Sequence, residues 1–349
     1  VPMEANLDLK WVKMFHESFQ LSGVEPGQMV AIVSESQSNP VLVRLAELGL
    51  GLCGARVVTV TVPSAAVRTV QPIRSTGTAA AYDDYGMLLN AIAGCALIVD
   101  VTVEGLLHSP VRQEVLKAGG RIYMISNEHP EVLERCRPDP KLADRVDYSL
   151  KRLAEGKRMH VTSSAGTDLT VDIAGAPVRG GAGFLGPNVP IAYWPAGLAL
   201  CFPLAGSVNG RVVLDVGDVN LTFKRYIETP VTLMIDNDIV VEISGDGLDA
   251  VTLRSYFAAW NDPVAYTIAH VGWGLNPGAT WDSLMMYDKN EINGTELRAV
   301  EGNFLISTGA NEFANRYTPC HFDFPMRACT VELDGQTVVR EGRLQEPYL

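Results

Sequence analysis

Four short apolar runs, each set beside a helix-like stretch, fill the first 138 residues and constrain the fold more than any other feature of this sequence. Residues 28–34, 56–62, 95–100 and 121–125 read as short apolar strands, the first of the buried type. Around them, residues 40 to about 50, 84–94, 110–118 and 130–136 read as helices. Pro40 suits a first helical turn behind Asn39 as N-cap, and the glycines at 49, 51 and 54 end that helix. An amphipathic helix over 7–21 covers the start, with Leu7, Trp11, Met14, Phe15 and Phe19 at three- and four-residue spacing. Strands alternating with helices predict an α/β domain built on a doubly wound parallel sheet.

After Arg137, Pro138, Asp139 and Pro140 the pattern changes. A helix of about 15 residues leads into short strands at 159–163, 169–173, 211–214, 231–235 and 239–243, and Asp334-Gly335 marks a tight hairpin within 331–339. Residues 253–269 read as a helix that ends just before His270. The chain of 349 residues is long for one domain. A division into 1–138, α/β, and 139–349, an antiparallel-rich α+β domain, follows.

Charge and composition exclude several function classes. The formal net charge of -12 disfavours nucleic acid and anionic membranes as partners, because phosphate binding needs a basic surface. The six cysteines include no C-x-x-C pair, and no basic segment followed by an apolar core opens the chain, so a reduced, cytoplasmic protein is expected. Apolar runs fall short of the roughly 20 residues that span a bilayer. Gly181, Gly183 and Gly186 match G-x-G-x-x-G, but no strand runs into them, and Pro187 and Pro190 oppose a following helix. No Walker loop, G-x-S-x-G elbow or H-E-x-x-H helix occurs.

Three residues carry the chemistry. His321 and Asp323 stand two apart in an apolar, proline-bracketed run, so on a strand they share a face. His270, just ahead of Gly272, Trp273 and Gly274, adds a second imidazole. Two imidazoles and one carboxylate form the set that leaves open positions on non-haem ferrous iron. Singly, each is as well read as a satisfied core residue; three together in apolar sequence are costly to bury without a partner. His108 follows the third strand, at the edge where such sheets bind ligands, and precedes Ser109 and Pro110, a helix start that keeps an imidazole neutral. A surface loop histidine is the competing reading.

The His321-Phe322-Asp323-Phe324 run resembles the metal-binding strand of the aminopeptidase T (M29-type) metallopeptidases. Those enzymes bind two metals through further carboxylates, where this chain has Leu198, after Pro195-Ala196-Gly197, and His270. The altered pattern resembles a narrower family, the 2,5-dihydroxypyridine 5,6-dioxygenases. The resemblance is carried by Gly105-Leu106-Leu107-His108-Ser109-Pro110, Leu214-Asp215-Val216-Gly217-Asp218, residues 270–277 and 302–309, and Thr318-Pro319-Cys320-His321-Phe322-Asp323. It implies Fe(II) held by His270, His321 and Asp323, with the Ser307 hydroxyl as a weak fourth ligand. It also implies Leu107 and His108 against the substrate ring, His108 as general acid or base, and a pocket at a junction of domains or subunits in a homo-oligomer. Tyr193 and Trp194 are where a substrate-related departure is expected. The implied partners are a hydroxypyridine and O2. A dinuclear peptidase and a non-catalytic binding protein are the alternatives.

Overall fold

The computed structural model describes residues 7–65, 80–83, 85–92, 94–107, 110–187 and 189–348. The first part runs α1 (Leu9–Leu21), β1 (Met29–Glu35), α2 (Pro40–Leu52), β2 (Arg56–Val62), α3 (Gly86–Ile92), β3 (Leu97–Asp100), α4 (Pro110–Lys117), β4 (Ile122–Ile125) and α5 (Pro130–Arg135). Asn39 caps α2 by accepting from the Val41 amide, with Pro40 in the first turn. Strands β2, β1, β3 and β4 lie side by side in parallel. Phe15, Phe19, Leu42 and Leu45 cover one face over Val30, Ile32 and Val99. Val111, Val115 and Ile92 cover the other over Ala31, Val33 and Ile98. Burial on both faces explains why β1 and β3 read as unbroken apolar runs.

The second part continues with α6 (Pro140–Glu155), β5 (Arg158–Thr162), β6 (Asp168–Asp172), β7 (Val178–Gly181), β8 (Ile191–Trp194), β9 (Leu198–Cys201), β10 (Val208–Leu214), β11 (Val219–Asn220), β12 (Arg225–Tyr226), β13 (Val231–Asp236), β14 (Ile239–Ser244), α7 (Leu248–Trp260), β15 (Ile268–Gly274), β16 (Phe304–Asn311), β17 (Arg316–Met326), β18 (Thr330–Leu333), β19 (Gln336–Arg340) and β20 (Arg343–Leu344). An antiparallel sheet in the order β14-β13-β10-β6-β5-β18-β19-β20 packs against another in the order β17-β16-β15-β9-β7. Leu169, Val171, Val212 and Val331 of the first meet Val271, Trp273, Phe322 and Phe324 of the second in one core, which α7 joins through Phe257. A parallel sheet followed by antiparallel sheets is the α/β plus α+β arrangement that the sequence predicts.

Two differences bear on the site. Strand β8, well past residue 138, pairs in parallel with β4 and completes the N-terminal sheet, so the two halves share a seam. The helix expected over 253–269 ends at Trp260, because Asn261 takes a left-handed conformation (φ 49) and Pro263 opens a separate 3-10 turn, Pro263–Tyr266. His270 therefore sits inside the buried strand β15, and not at a helix end.

Candidate metal centre and its cavity

The site is a row across three neighbouring antiparallel strands. His270 on β15 is paired with Ser307 on β16, and Ser307 with Asp323 on β17. Directly opposite residues project from one face within about 5 Å of each other. His321, two residues back from Asp323, shares that face, as the i, i+2 spacing predicts. Strand β17 tolerates Pro319 and Pro325 because it is the edge of its sheet. Gly309, opposite His321, has φ 110, and a Cβ there would lie 2.0 Å from the Cys320 carbonyl oxygen, so only glycine lets the two strands meet here.

All three candidate ligands are buried: His270 is 5% exposed, His321 6% and Asp323 2%. Among the described residues they form a cluster able to hold a metal ion, with ligand atoms within 4.8 Å of one another. Asp323 Oδ1 lies 3.7 Å from His270 Nε2 and 3.4 Å from His321 Nε2. Atoms bound to one ion at about 2.1 Å and at right angles stand about 3 Å apart. Small side-chain adjustments thus suffice, and the donor set fits a single divalent ion.

Electrostatics prepares each group. Burial drives the His270 pKa down to about 3, with Asp323 opposing and His321 and Arg298 assisting, so this imidazole is neutral at physiological pH and has a lone pair to offer. Burial alone pushes the Asp323 carboxyl up, but Arg298 and the two histidines outweigh it and hold it well below the usual carboxylate range. Ser307 sets the tautomer. Its single proton goes to Asp323 Oδ1, so its lone pair accepts from His270 Nδ1–H at 3.2 Å and leaves His270 Nε2 bare toward the cluster. Arg298 Nε meets the other carboxylate oxygen, Oδ2, at 2.7 Å. Only Oδ1 is left to face a metal.

The cluster opens into a cavity of about 500 Å³ at the seam of the two halves. Leu198, Leu200, Leu305 and Phe202 wall it on one side, and Leu107 and Met124 on the other. Phe202 lies 5.4 Å from the His270 ring. Leu198 lies in an apolar cluster with Leu200, Ala299 and Leu305.

Of the residues read from the sequence, His270, His321, Asp323 and Ser307 come together, and Leu107 and Tyr193 line the cavity. Trp194 does not. On alternating strand β8 it points the other way, fully buried, and its indole donates to the Cys136 carbonyl at 2.7 Å. His108 and Ser109 lie outside the described residues. Arg298 escapes a local reading of the sequence. The signal available was indirect: a buried acid between imidazoles calls for a cation.

A family profile described as 2,5-dihydroxypyridine 5,6-dioxygenase matches residues 10–346. The chain belongs to this family. A curated 2,5-dihydroxypyridine 5,6-dioxygenase of Pseudomonas putida is 35% identical over 339 residues, covering 96% of either chain. The solved structure of 2,5-dihydroxypyridine dioxygenase from Pseudomonas putida KT2440 superposes with a TM-score of 0.89 at 34% identity, covering 97% of both chains. Wild-type AmpT from Thermus thermophilus superposes with a TM-score of 0.64 at 15% identity, covering 96% of this chain and 98% of that one, which shows a shared fold. Family membership makes this dioxygenase an oxidoreductase that cleaves a ring.

Proposed function

We propose that this family member is a mononuclear, Fe(II)-dependent, extradiol-like dioxygenase that opens 2,5-dihydroxypyridine with O2 to N-formylmaleamate. The observation that carries the single-metal reading is the division of labour at Asp323. Oδ1 faces both imidazoles, whereas Oδ2 is engaged by Arg298 and cannot bridge to a second ion. Leu198 supplies no carboxylate for one either. His270, His321 and Asp323 would hold the iron, and the remaining lone pair of Ser307 is what a weak fourth bond would use. When bound, ferrous iron supplies the open positions and electron transfer that let triplet O2 react with a singlet ring.

The chain's own residues bind and orient. Leu107, Leu198, Leu200 and Phe202 make an apolar slot that receives a flat ring and displaces water. His108, by the family pattern, takes the proton of a ring hydroxyl and returns it. Arg298 keeps Asp323 ionised throughout. Both oxygen atoms enter the product, so the reaction needs no external reductant. The free, buried cysteines at 53, 95, 136, 201, 320 and 329 fit a reducing cytoplasm, and among the described residues no helix is long and apolar enough to cross a membrane. From the family resemblance we carry over that the chain works as a homo-oligomer, and from the change of pattern after Pro140 that 1–138 and 139–349 are its domains, joined along the β4–β8 seam.

The test is anaerobic reconstitution with ferrous iron followed by O2 uptake and loss of substrate absorbance on adding 2,5-dihydroxypyridine. One O2 consumed per ring supports the reading. No turnover with any hydroxypyridine, or peptide cleavage without O2, overturns it.

A further inference from the structure

The loop that follows β3 carries Leu107 into the cavity, and its earlier residues are held by buried groups. Asp100 accepts from the Thr102 amide (3.0 Å), the Thr102 hydroxyl (2.7 Å) and the Leu106 amide (2.6 Å). Thr102 Oγ1 accepts from the Gly105 amide at 3.1 Å, and Glu35 Oε1 from the Val103 amide at 2.9 Å. Gly105 has φ 80, and a Cβ there would lie 2.1 Å from Met124 Sδ, so the loop is pressed onto β4. From across the seam, Asn293 Nδ2 donates to the Val103 carbonyl at 2.6 Å.

At Leu107 a side chain from α4 adds to this support. The Leu107 carbonyl accepts from Arg112 Nη1 at 2.8 Å, and Arg112 Nη2 stands 3.1 Å from both oxygens of Glu312. Glu312 opens the turn Glu312–Ala314 that joins β16 to β17, the hairpin carrying Ser307, His321 and Asp323. The far end of the cavity is tied by buried bonds: Ser126 to Thr295 at 2.6 Å, and Glu128 accepting the amides of Asn293 and Thr295. By contrast the Arg112 and Glu312 side chains are 19% and 41% exposed, so this fastening lies at the mouth.

We infer that Arg112 is a positioning residue for substrate: by tying the Leu107 carbonyl to the turn of the metal-bearing hairpin, it sets the distance between the Leu107 wall and the His270–His321–Asp323 cluster. This rests on the reading of the cavity as a ring-binding site. Arginine suits the task because its planar fork donates in two directions at once. Glu312 orients the fork, and the bond to Leu107 transmits the effect.

The experiment compares the iron-loaded enzyme with Arg112→Gln, Arg112→Lys, Glu312→Gln and the swapped double variant Arg112→Glu/Glu312→Arg. Two readouts are taken: steady-state kinetics with 2,5-dihydroxypyridine, and hydrogen–deuterium exchange at residues 104–107 and along β15–β17. Arg112→Gln should raise KM about tenfold with a smaller change in kcat, and should speed exchange at 104–107 but not along the strands. Arg112→Lys should recover part of KM, and Glu312→Gln should raise KM less than Arg112→Gln does. The swap restores opposite charges but puts an acceptor beside the Leu107 carbonyl, so KM should stay raised. Full recovery in the swap, or unchanged exchange at 104–107 in Arg112→Gln, would overturn the inference. Absence of any turnover by the unsubstituted enzyme would count against the proposed activity, while the exchange measurement would still decide the role of Arg112.

Discussion

Replacing Arg298 with Gln should separate the free protein from the metal-loaded one. Arg298 Nε lies 2.7 Å from Asp323 Oδ2, with side chains 14% and 1% exposed. Removing one partner of a buried pair costs roughly 3–5 kcal/mol, and the partial exposure of Arg298 places this case near about 3 kcal/mol. In the metal-free protein that whole cost falls on folding, a thermal midpoint lower by roughly 5 °C. With a divalent ion in place the carboxylate keeps a cation beside it, and the loss reduces to the residual attraction of a second cation, about 1 kcal/mol. The thermodynamic cycle then requires the variant to bind metal more tightly by about 2 kcal/mol, roughly 30-fold, even though the protein is less stable. Thermal unfolding with and without Mn(II), combined with calorimetric titration of Mn(II), checks both legs. Equal destabilisation of the two forms, or weaker metal binding, would refute the claim that Arg298 acts through the charge of Asp323.

Further outcomes follow from the same geometry. His321→Ala or Asp323→Ala should lose bound iron, whereas His108→Ala should keep iron and lose rate, as read by metal content beside kcat. Ser307→Ala frees the His270 tautomer and should weaken metal affinity by about 10–100-fold without abolishing it, measured by competition with a chelating dye. Glu128 has its pKa raised to about 7, first by burial and then by Glu296, against the amides it accepts. A raised carboxyl costs stability as pH climbs from its unfolded value near 4.5 through about 7, and the cost is constant above that. Glu128→Gln should therefore flatten the fall in thermal midpoint between pH 5 and 7.5, and parallel curves for the two proteins would contradict the assignment.

How much was legible in the sequence depended on whether a signal was local. The strand near 28–34 and the cap at Asn39 were readable because burial on both faces and a helix start leave marks within a few residues, and the strand near 56–62 was readable from its run of Val and Thr although it forms the largely exposed edge of the sheet. His321 and Asp323 were readable for the same reason, since the period of a strand places i and i+2 together. The environment of His270 was not. Its apolar neighbourhood suits helix and strand alike, and the break lies several residues upstream, at Asn261 and Pro263. Ser307 between His270 and Asp323, Arg298 behind Asp323, and β8 completing a sheet begun 160 residues earlier all depend on cross-strand register and chain crossing, which local spacing does not encode. Trp194 parts from Tyr193 because alternation along β8 sends the two to opposite faces, which adjacency in sequence does not show.

The central claim, one iron and a dioxygenase reaction at His270, His321 and Asp323, is tested most directly by labelled oxygen on a protein of known metal content. The enzyme is reconstituted with Fe(II), its iron counted, and a single turnover of 2,5-dihydroxypyridine run under 18O2 with rapid quenching. One iron per chain and two labelled oxygen atoms in the ring-opened product are expected. Two metals per chain, or a product carrying fewer than two labelled atoms, would contradict the account.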